Sequence, residues 1–262
     1  GHWTATLAPT GGAAVQVRAR CLVNAAGPWA AQFLHGATGT ERPRALRLIK
    51  GSHIVVPRLF EHDSAYIFQH PDGRIVFAMP YEHAYTLIGT TDLDYTGDLD
   101  RVAISDAEIG YLCELSNRYF RTQISPADVA WSYSGVRPLV EDEAASAAAA
   151  TRDFRLEMDA TAAPMLTVFG GKITTFRKLA EEAVNRVAPM LGNRSGAWTA
   201  AACLPGGDLF GGKPSNRGVI EFGRWLEGVQ RRYPWLPPPL AARYARAYGS
   251  RIEILLARRQ GM

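Results

Sequence analysis

No stretch of the 262 residues reaches the roughly 18 to 20 consecutive apolar residues that a membrane-spanning helix needs, and no charged-then-apolar leader opens the chain. A soluble or peripheral protein is expected. Cysteine is scarce: Cys21, Cys113 and Cys203 form no Cys-x-x-Cys pair and leave one thiol over, which argues against a disulfide framework and for a reducing compartment. All three read as small buried apolar side chains. The six histidines lie within the first 83 residues without the i, i+4 or close-pair spacing of a metal site, so no metal is expected. A charge excess of one sign is lacking too. The net charge of +4 suits a small anionic substrate or an acidic membrane surface and gives no nucleic-acid signature. Nor does any Gly-x-Gly-x-x-Gly follow a strand, the element that holds a dinucleotide pyrophosphate on a helix N-terminus. With 47% hydrophobic residues the chain can still bury a substantial core, in one large or two modest domains.

The most informative stretch is Leu166 to Arg177, LTVFGGKITTFR. The apolar run from Met165 to Phe169 predicts a strand buried on both faces, and Gly170-Gly171 predicts a turn after it. Phe176, Leu179, Ala180, Ala183, Val184, Val187, Ala188 and Leu191 then fall on a three-four spacing, which predicts a helix with one stripe facing a core. Thr174 or Thr175 is the expected N-cap. Such a strand, glycine loop and helix let backbone approach a ligand closely and aim N–H groups at an electron-rich atom. A nucleotide P-loop is excluded, because Leu166 stands where its first glycine belongs and Ile173 follows the lysine. Taken alone, the loop is equally a tight turn that packs a helix against a strand.

Along the chain, residues 3–8 and 13–19 flank Thr10-Gly11-Gly12 and predict a hairpin. Cys21-Leu22-Val23 predicts a short strand closing on Asn24-Ala25-Ala26-Gly27, either an ordinary strand end or a place where backbone passes close to something bulky. Residues 54–56, 66–69, 75–79 and 86–90 are rich in β-branched and aromatic side chains, with turn signals at Pro71-Asp72-Gly73 and Glu82-His83-Ala84. An antiparallel sheet is expected there. Ser105 should cap a helix with Glu108 three residues on, its inner face made by Ile109, Leu112, Cys113, Ser116, Tyr119 and Phe120. Residues 129–136 return as a strand, with Trp131 and Tyr133 on one side and Ala130, Ser132 and Ser134 on the other, where the small side should leave room for a planar ligand. Residues 141–150 read as an exposed excursion. In the strand expected at 151–159, alternation turns Arg152 inward with Phe154, Leu156 and Met158. An inward arginine needs an anion, either a bound one or a carboxylate from Glu141, Asp142 or Glu143. Glycines at 206–207 and 211–212 mark a linker, and residues 219–233 and 240–248 predict two amphipathic helices. Arg231, Arg232, Arg243, Arg246, Arg258 and Arg259 make this end basic, as a solvated face.

Ser134-Gly135-Val136-Arg137-Pro138, Thr151-Arg152-Asp153 and Phe169-Gly170-Gly171-Lys172-Ile173-Thr174-Thr175 occur in that order. Asn24-Ala25-Ala26-Gly27-Pro28-Trp29, Ile49-Lys50-Gly51-Ser52-His53 and Gly89-Thr90-Thr91-Asp92 lie upstream; Leu204-Pro205-Gly206-Gly207 and 244–250 lie downstream. The ordered set resembles the FAD-dependent glycerol-3-phosphate dehydrogenases over nearly the whole chain. The resemblance implies an α+β fold: residues 1–45 as strands of an FAD-binding domain, 46–136 as an antiparallel substrate-binding domain, 137–195 as the return to the FAD domain, and 196–262 as the start of a helical domain. In that family the pyrophosphate-binding motif lies at the N-terminus. A chain that opens without Met beside a strand-like edge at residues 2–7 is then expected to be a piece of a longer protein.

The implied activity is oxidation of sn-glycerol 3-phosphate to dihydroxyacetone phosphate with FAD, electrons passing to quinone at the cytoplasmic face of a bacterial inner membrane or in the cytoplasm. No nucleic-acid partner is implied, and a homodimer is left open. Ala26, Gly27, Trp29, Gly170, Gly171, Lys172, Ile173 and Thr174 would face the flavin. Arg137, Arg152 and Lys172 would grip the phosphate, since an arginine fork holds two oxygens while lysine adds a point charge. Arg137 and Lys172 would also sit at the reacting centre, with His53 as the base, because a neutral imidazole titrates in the right range. Two other readings stay in view: a related flavin amine or amino-acid oxidase, in which one arginine binds a carboxylate, and a non-catalytic phosphate-binding module.

Overall fold

The structure, a computed structural model, describes residues 1–39, 45–70, 73–140 and 153–257. The excursion expected at 141–150, the first two residues of the 71–73 turn, Arg152, Arg258 and Arg259 lie outside the described residues. The chain forms two compact units, Gly1–Leu179 and Ala180–Met262.

The first unit opens on the expected hairpin, β1 (Trp3–Leu7) with β2 (Val15–Ala19), followed by β3 (Leu22–Asn24), a 3-10 turn at Gly27–Trp29 and α1 (Ala30–Thr38). The large sheet uses β4 (Leu46–Pro57), β5 (Tyr66–Gln69), β6 (Ile75–Tyr81), β7 (Tyr85–Gly89) and β8 (Leu93–Asp94). After α2 (Asp106–Asn117) come β9 (Trp131–Val140), β10 (Phe154–Asp159), β11 (Met165–Gly170) and α3 (Phe176–Val187). The large sheet runs β5-β6-β7-β4-β8, with β9 also antiparallel to β4 from Leu46↔Val140 to Val55↔Trp131. Strand β9 runs on past residue 136, where a domain border was expected. A smaller sheet orders β10-β11-β3, and β11 lies parallel to β3 through Leu166↔Val23.

One face of the large sheet is covered. Ile54, Val56, Val76, Ala78 and Ile88 pack against Leu112, Cys113 and Leu115 of α2, whose start is fixed by the Ser105/Glu108 capping box. Around the smaller sheet, Met165, Phe169 and Val140 pack on Ala30 and Leu34 of α1. Leu166 is fully buried at the centre of β11, as its apolar run predicts.

The helix after the glycine loop departs from expectation. Its first turn is 3-10, at Ile173–Thr175, and Lys172 occupies the cap position without a side-chain bond. Neither threonine caps it; the Thr175 hydroxyl instead donates to the Lys172 carbonyl at 3.0 Å. No residue of α3 is fully buried, and Phe176 and Val184 are exposed. Of the three thiols only Cys113 is buried; Cys21 and Cys203 are half-buried.

In the second unit, residues 219–233 break at Glu221 into α4 (Arg217–Ile220) and α5 (Phe222–Arg232), followed by α6 (Pro238–Tyr248) and α7 (Ile252–Leu256). Val229, Leu236, Ala241, Ile252 and Leu256 form its core. The segment at Gly206-Gly207 is not a loose linker. The Gly206 carbonyl accepts from the Ser250 N–H at 3.0 Å, and a Cβ on Gly249 would strike that carbonyl oxygen.

Candidate functional site

Strand β4 carries the centre of the site, because it is paired on both edges and alternates between two unlike faces. On the covered face Lys50 and Ser52 meet the buried carboxylate of Glu108, at 2.7 Å from Nζ and 2.7 Å from Oγ. Thr91 Oγ1 donates to the same carboxylate at 2.8 Å, and the Ser105 N–H and hydroxyl each donate at 2.9 Å. Burial pushes this carboxyl up, but the bonds from Lys50, Ser105, Ser52 and Thr91 outweigh it and bring it down to about 2. Ser134, opposite Ser52, joins through its hydroxyl at 2.8 Å. The small side of β9 was expected to leave room for a planar ligand. Ser134 on that side is instead joined to this network through Ser52, and Ser132 lies opposite Ile54.

The other face bears Trp131 and Tyr133, both exposed, beside the buried Ile49 and Val55. Cross-strand partners share a face, so His53, Gly89 and Tyr133 sit side by side, as do Gly51 with Gly135 and Ile49 with Arg137. The His53 imidazole stacks on Tyr133 with centroids 4.8 Å apart and planes 6° from parallel. Its Nδ1 is buried without a hydrogen-bond partner. Burial, and then the charge of Arg137, hold the imidazole below its ordinary pKa. The Arg137 guanidinium lies over Gly51, where a Cβ would collide with Nη2. There Nη2 donates to the Thr91 carbonyl at 3.2 Å and pairs with Asp92 Oδ1 at 2.6 Å. Nε and Nη1 have no protein partner among the described residues.

The glycine loop leaves β11 beside β9. Gly170 and Gly171 have φ of +70° and +98°, which favours glycine at both, and a Cβ on Gly170 would lie 2.9 Å from the Asp153 carbonyl and 3.6 Å from the Pro138 carbonyl. The loop therefore starts beside the residue after Arg137. Lys172, Ile173 and Thr174 are exposed, Ile173 at 89%. The 3-10 turn at Gly27–Trp29 packs beside β9 and β11, with Ala26 tied back by its N–H to Asn24 Oδ1 at 3.3 Å and Trp29 exposed. The structure thus puts His53 and Arg137 on one face of the β4-β9 ladder and starts the Gly-Gly-Lys loop beside Pro138 and Val140 of β9, while Arg152 lies outside the described residues. No group of metal-binding side chains occurs among the described residues.

Such a site, a β face with an imidazole and an arginine beside a glycine loop that ends in a helix, belongs to the FAD dependent oxidoreductase family. That family matches residues 2–177, and this chain is a member of it. Among individual proteins, the chain is 45% identical over 258 residues to a glycerol-3-phosphate dehydrogenase of Pseudomonas aeruginosa, covering 98% of this chain and 49% of that protein. It is 42% identical over 246 residues to a D-erythritol 1-phosphate dehydrogenase of Brucella abortus, covering 94% and 47%. The X-ray structure of the glycerol-3-phosphate dehydrogenase from Bacillus halodurans complexed with FAD superposes with a TM-score of 0.76 at 29% identity, over 93% of this chain and 46% of that one. The chain spans about half the length of the curated relatives it matches.

Three participants were not singled out from the sequence. Asp92 closes the motif Gly89-Thr90-Thr91-Asp92, but only the fold puts its carboxylate on Arg137. Gly89 leaves space for the imidazole of His53, its direct partner across the ladder, and Tyr133 was noted for its side of β9 alone.

Proposed function

We propose that this chain supplies the substrate face and the ring side of the flavin site in an FAD-dependent dehydrogenase that oxidises sn-glycerol 3-phosphate to dihydroxyacetone phosphate. The observation that carries this reading is that Gly170, which opens the Gly170-Gly171-Lys172 loop, lies beside Pro138, the residue after Arg137 on the strand that pairs with His53. The residues present fit the ring end of a flavin: two left-handed glycines clear the approach, Ile173 and Trp29 offer exposed apolar surface, and α3 directs the positive end of its dipole there. A bound FAD would supply the hydride acceptor for oxidation at C2 of the substrate.

The chain's own groups do the rest. Nε and Nη1 of Arg137 and the ammonium of Lys172 donate to phosphate oxygens, joined, by the resemblance, by Arg152. His53, neutral because its pKa is lowered, takes the hydroxyl proton at Nε2, the ring nitrogen that is not sealed. By resemblance the reading extends to quinone as electron acceptor and to a peripheral position on the cytoplasmic face of the inner membrane. No helix among the described residues is long and apolar enough to cross a membrane.

The test is turnover of the complete enzyme, carrying FAD, with glycerol 3-phosphate and an artificial electron acceptor. Formation of dihydroxyacetone phosphate is expected, and a flavin that stays oxidised on adding substrate refutes the reading. The similarity to the D-erythritol 1-phosphate dehydrogenase supports a second reading, a four-carbon polyol phosphate as substrate. The larger kcat/KM of the two substrates in the same assay decides between them.

A further inference from the structure

We propose that Tyr133 is a positioning residue for His53: its ring and the bare backbone of Gly89 clamp the imidazole in one plane and keep water off Nδ1. This rests on the reading above, in which His53 takes the substrate proton. Two separate features of the sheet define the clamp. On one side the Tyr133 ring lies parallel to the imidazole at 4.8 Å. On the other, Gly89 is the β7 residue opposite His53, and any Cβ there would collide with ring carbon Cδ2 and come within 2.6 Å of Cγ.

A glycine inside a strand weakens it, so its presence marks a place where another group comes close to backbone. Here that group is the imidazole. The ring cannot turn out of plane without striking Tyr133, and Nδ1, buried and without a partner, cannot take up water in its place. One nitrogen is left to work, in a fixed direction. Tyr133 itself is 39% exposed, so its ring contributes more to covering His53 than to the core.

The charged and titratable groups around the imidazole are few. Arg137 shares its face and is paired with Asp92; Tyr133 stacks on it with the Tyr81 hydroxyl in its own vicinity; β7 presents only Gly89 opposite. Burial is the larger cause of the lowered His53 pKa and Arg137 the smaller. Removing the Tyr133 ring therefore returns water to the imidazole and raises its pKa, while Arg137 stays in place.

The test has two arms. In the first, histidine-labelled full chain is titrated by NMR as wild type, Tyr133→Phe and Tyr133→Ala. Tyr133→Ala should raise the His53 pKa by roughly half to one unit, and Tyr133→Phe should leave it at the wild-type value. An unchanged pKa in Tyr133→Ala, or an equal rise in Tyr133→Phe, overturns the clamp. In the second arm, kcat/KM of the complete enzyme is followed against pH. Its acid limb should move upward with the NMR pKa in Tyr133→Ala and the plateau should fall roughly tenfold, as expected for a misdirected base; a plateau and limb that stay put overturn the positioning role. If His53→Ala keeps the wild-type limb, the base assignment fails, and the NMR arm still decides the clamp by itself.

Discussion

Glu108→Gln should remove a pH-dependent part of the stability of the first unit. In the folded chain the carboxyl titrates at about 2 against an ordinary value of 4.5, a gap of about 2.5 units. At about 1.4 kcal/mol per unit, ionised Glu108 contributes on the order of 3 kcal/mol. The folded pKa is the depressed one, so the unfolded chain takes up the proton first as pH falls. The contribution is complete above about 4.5 and is lost progressively as pH falls through about 2. Glutamine keeps the shape but not the charge, and leaves the Lys50 ammonium, with its side chain only 11% exposed, facing an amide. Breaking such a buried pair costs roughly 3 to 5 kcal/mol at neutral pH. Urea denaturation at pH 7, 5, 4 and 3 measures both quantities. Wild type should lose more stability than Glu108→Gln between pH 5 and 3, so that the two converge. Parallel losses across that range would refute the reasoning, because the network would then not be holding the carboxylate ionised.

Arg137→Lys keeps the charge and loses the planar fork, so KM for the phosphate substrate should rise roughly ten- to a hundredfold, the equivalent of one charge-assisted hydrogen bond; an unchanged KM would remove Arg137 from phosphate binding. Asp92→Ala frees the same guanidinium from its 2.6 Å partner and should lower kcat/KM while Asp92→Asn, which retains an acceptor oxygen, holds it closer to wild type. For Gly170→Ala, the φ of +70° and the Asp153 carbonyl 2.9 Å from the new Cβ predict a loss of about 1 to 3 kcal/mol, read from the urea midpoint, together with weaker flavin retention after desalting. His53→Ala should reduce turnover roughly a hundredfold or more, and wild-type turnover across pH would show that some other group takes the proton.

What the sequence makes legible is what is local. The capping box at Ser105 and Glu108 follows from a three-residue spacing, and strand β5 falls on the residues its aromatic and β-branched run marks. The same Glu108 also pairs with Lys50 and Thr91, and no periodicity reports a carboxylate shared between a helix start, a distant strand and a distant loop. Ser132 and Ser134 mislead for a related reason: alternation identifies a face of small residues, but not whether such a hydroxyl borders a gap or, like Ser134, bonds to the strand beside it. In α3 the three-four spacing correctly marks an apolar stripe, yet spacing says nothing about what covers it, and Phe176 and Val184 are exposed.

The glycines show how far that limit reaches into function. The Gly170-Gly171 pair is visible as a loop because both positions sit between a strand and a helix, where a reader looks for turns. Gly51 lies inside β4 and Gly89 closes β7, where glycine costs about 0.5 to 1 kcal/mol relative to alanine. Their reason is the space a missing Cβ leaves, one filled by the Arg137 guanidinium and the other by the His53 imidazole. The two groups proposed for the chemistry are thus laid flat on the sheet by bare backbone rather than raised from it on their own side chains. A strand glycine flanked by an arginine or histidine across the ladder is the signal that would have found Gly51 and Gly89 in advance, but it can be recognised only after the register is known, because that register decides which residues are opposite.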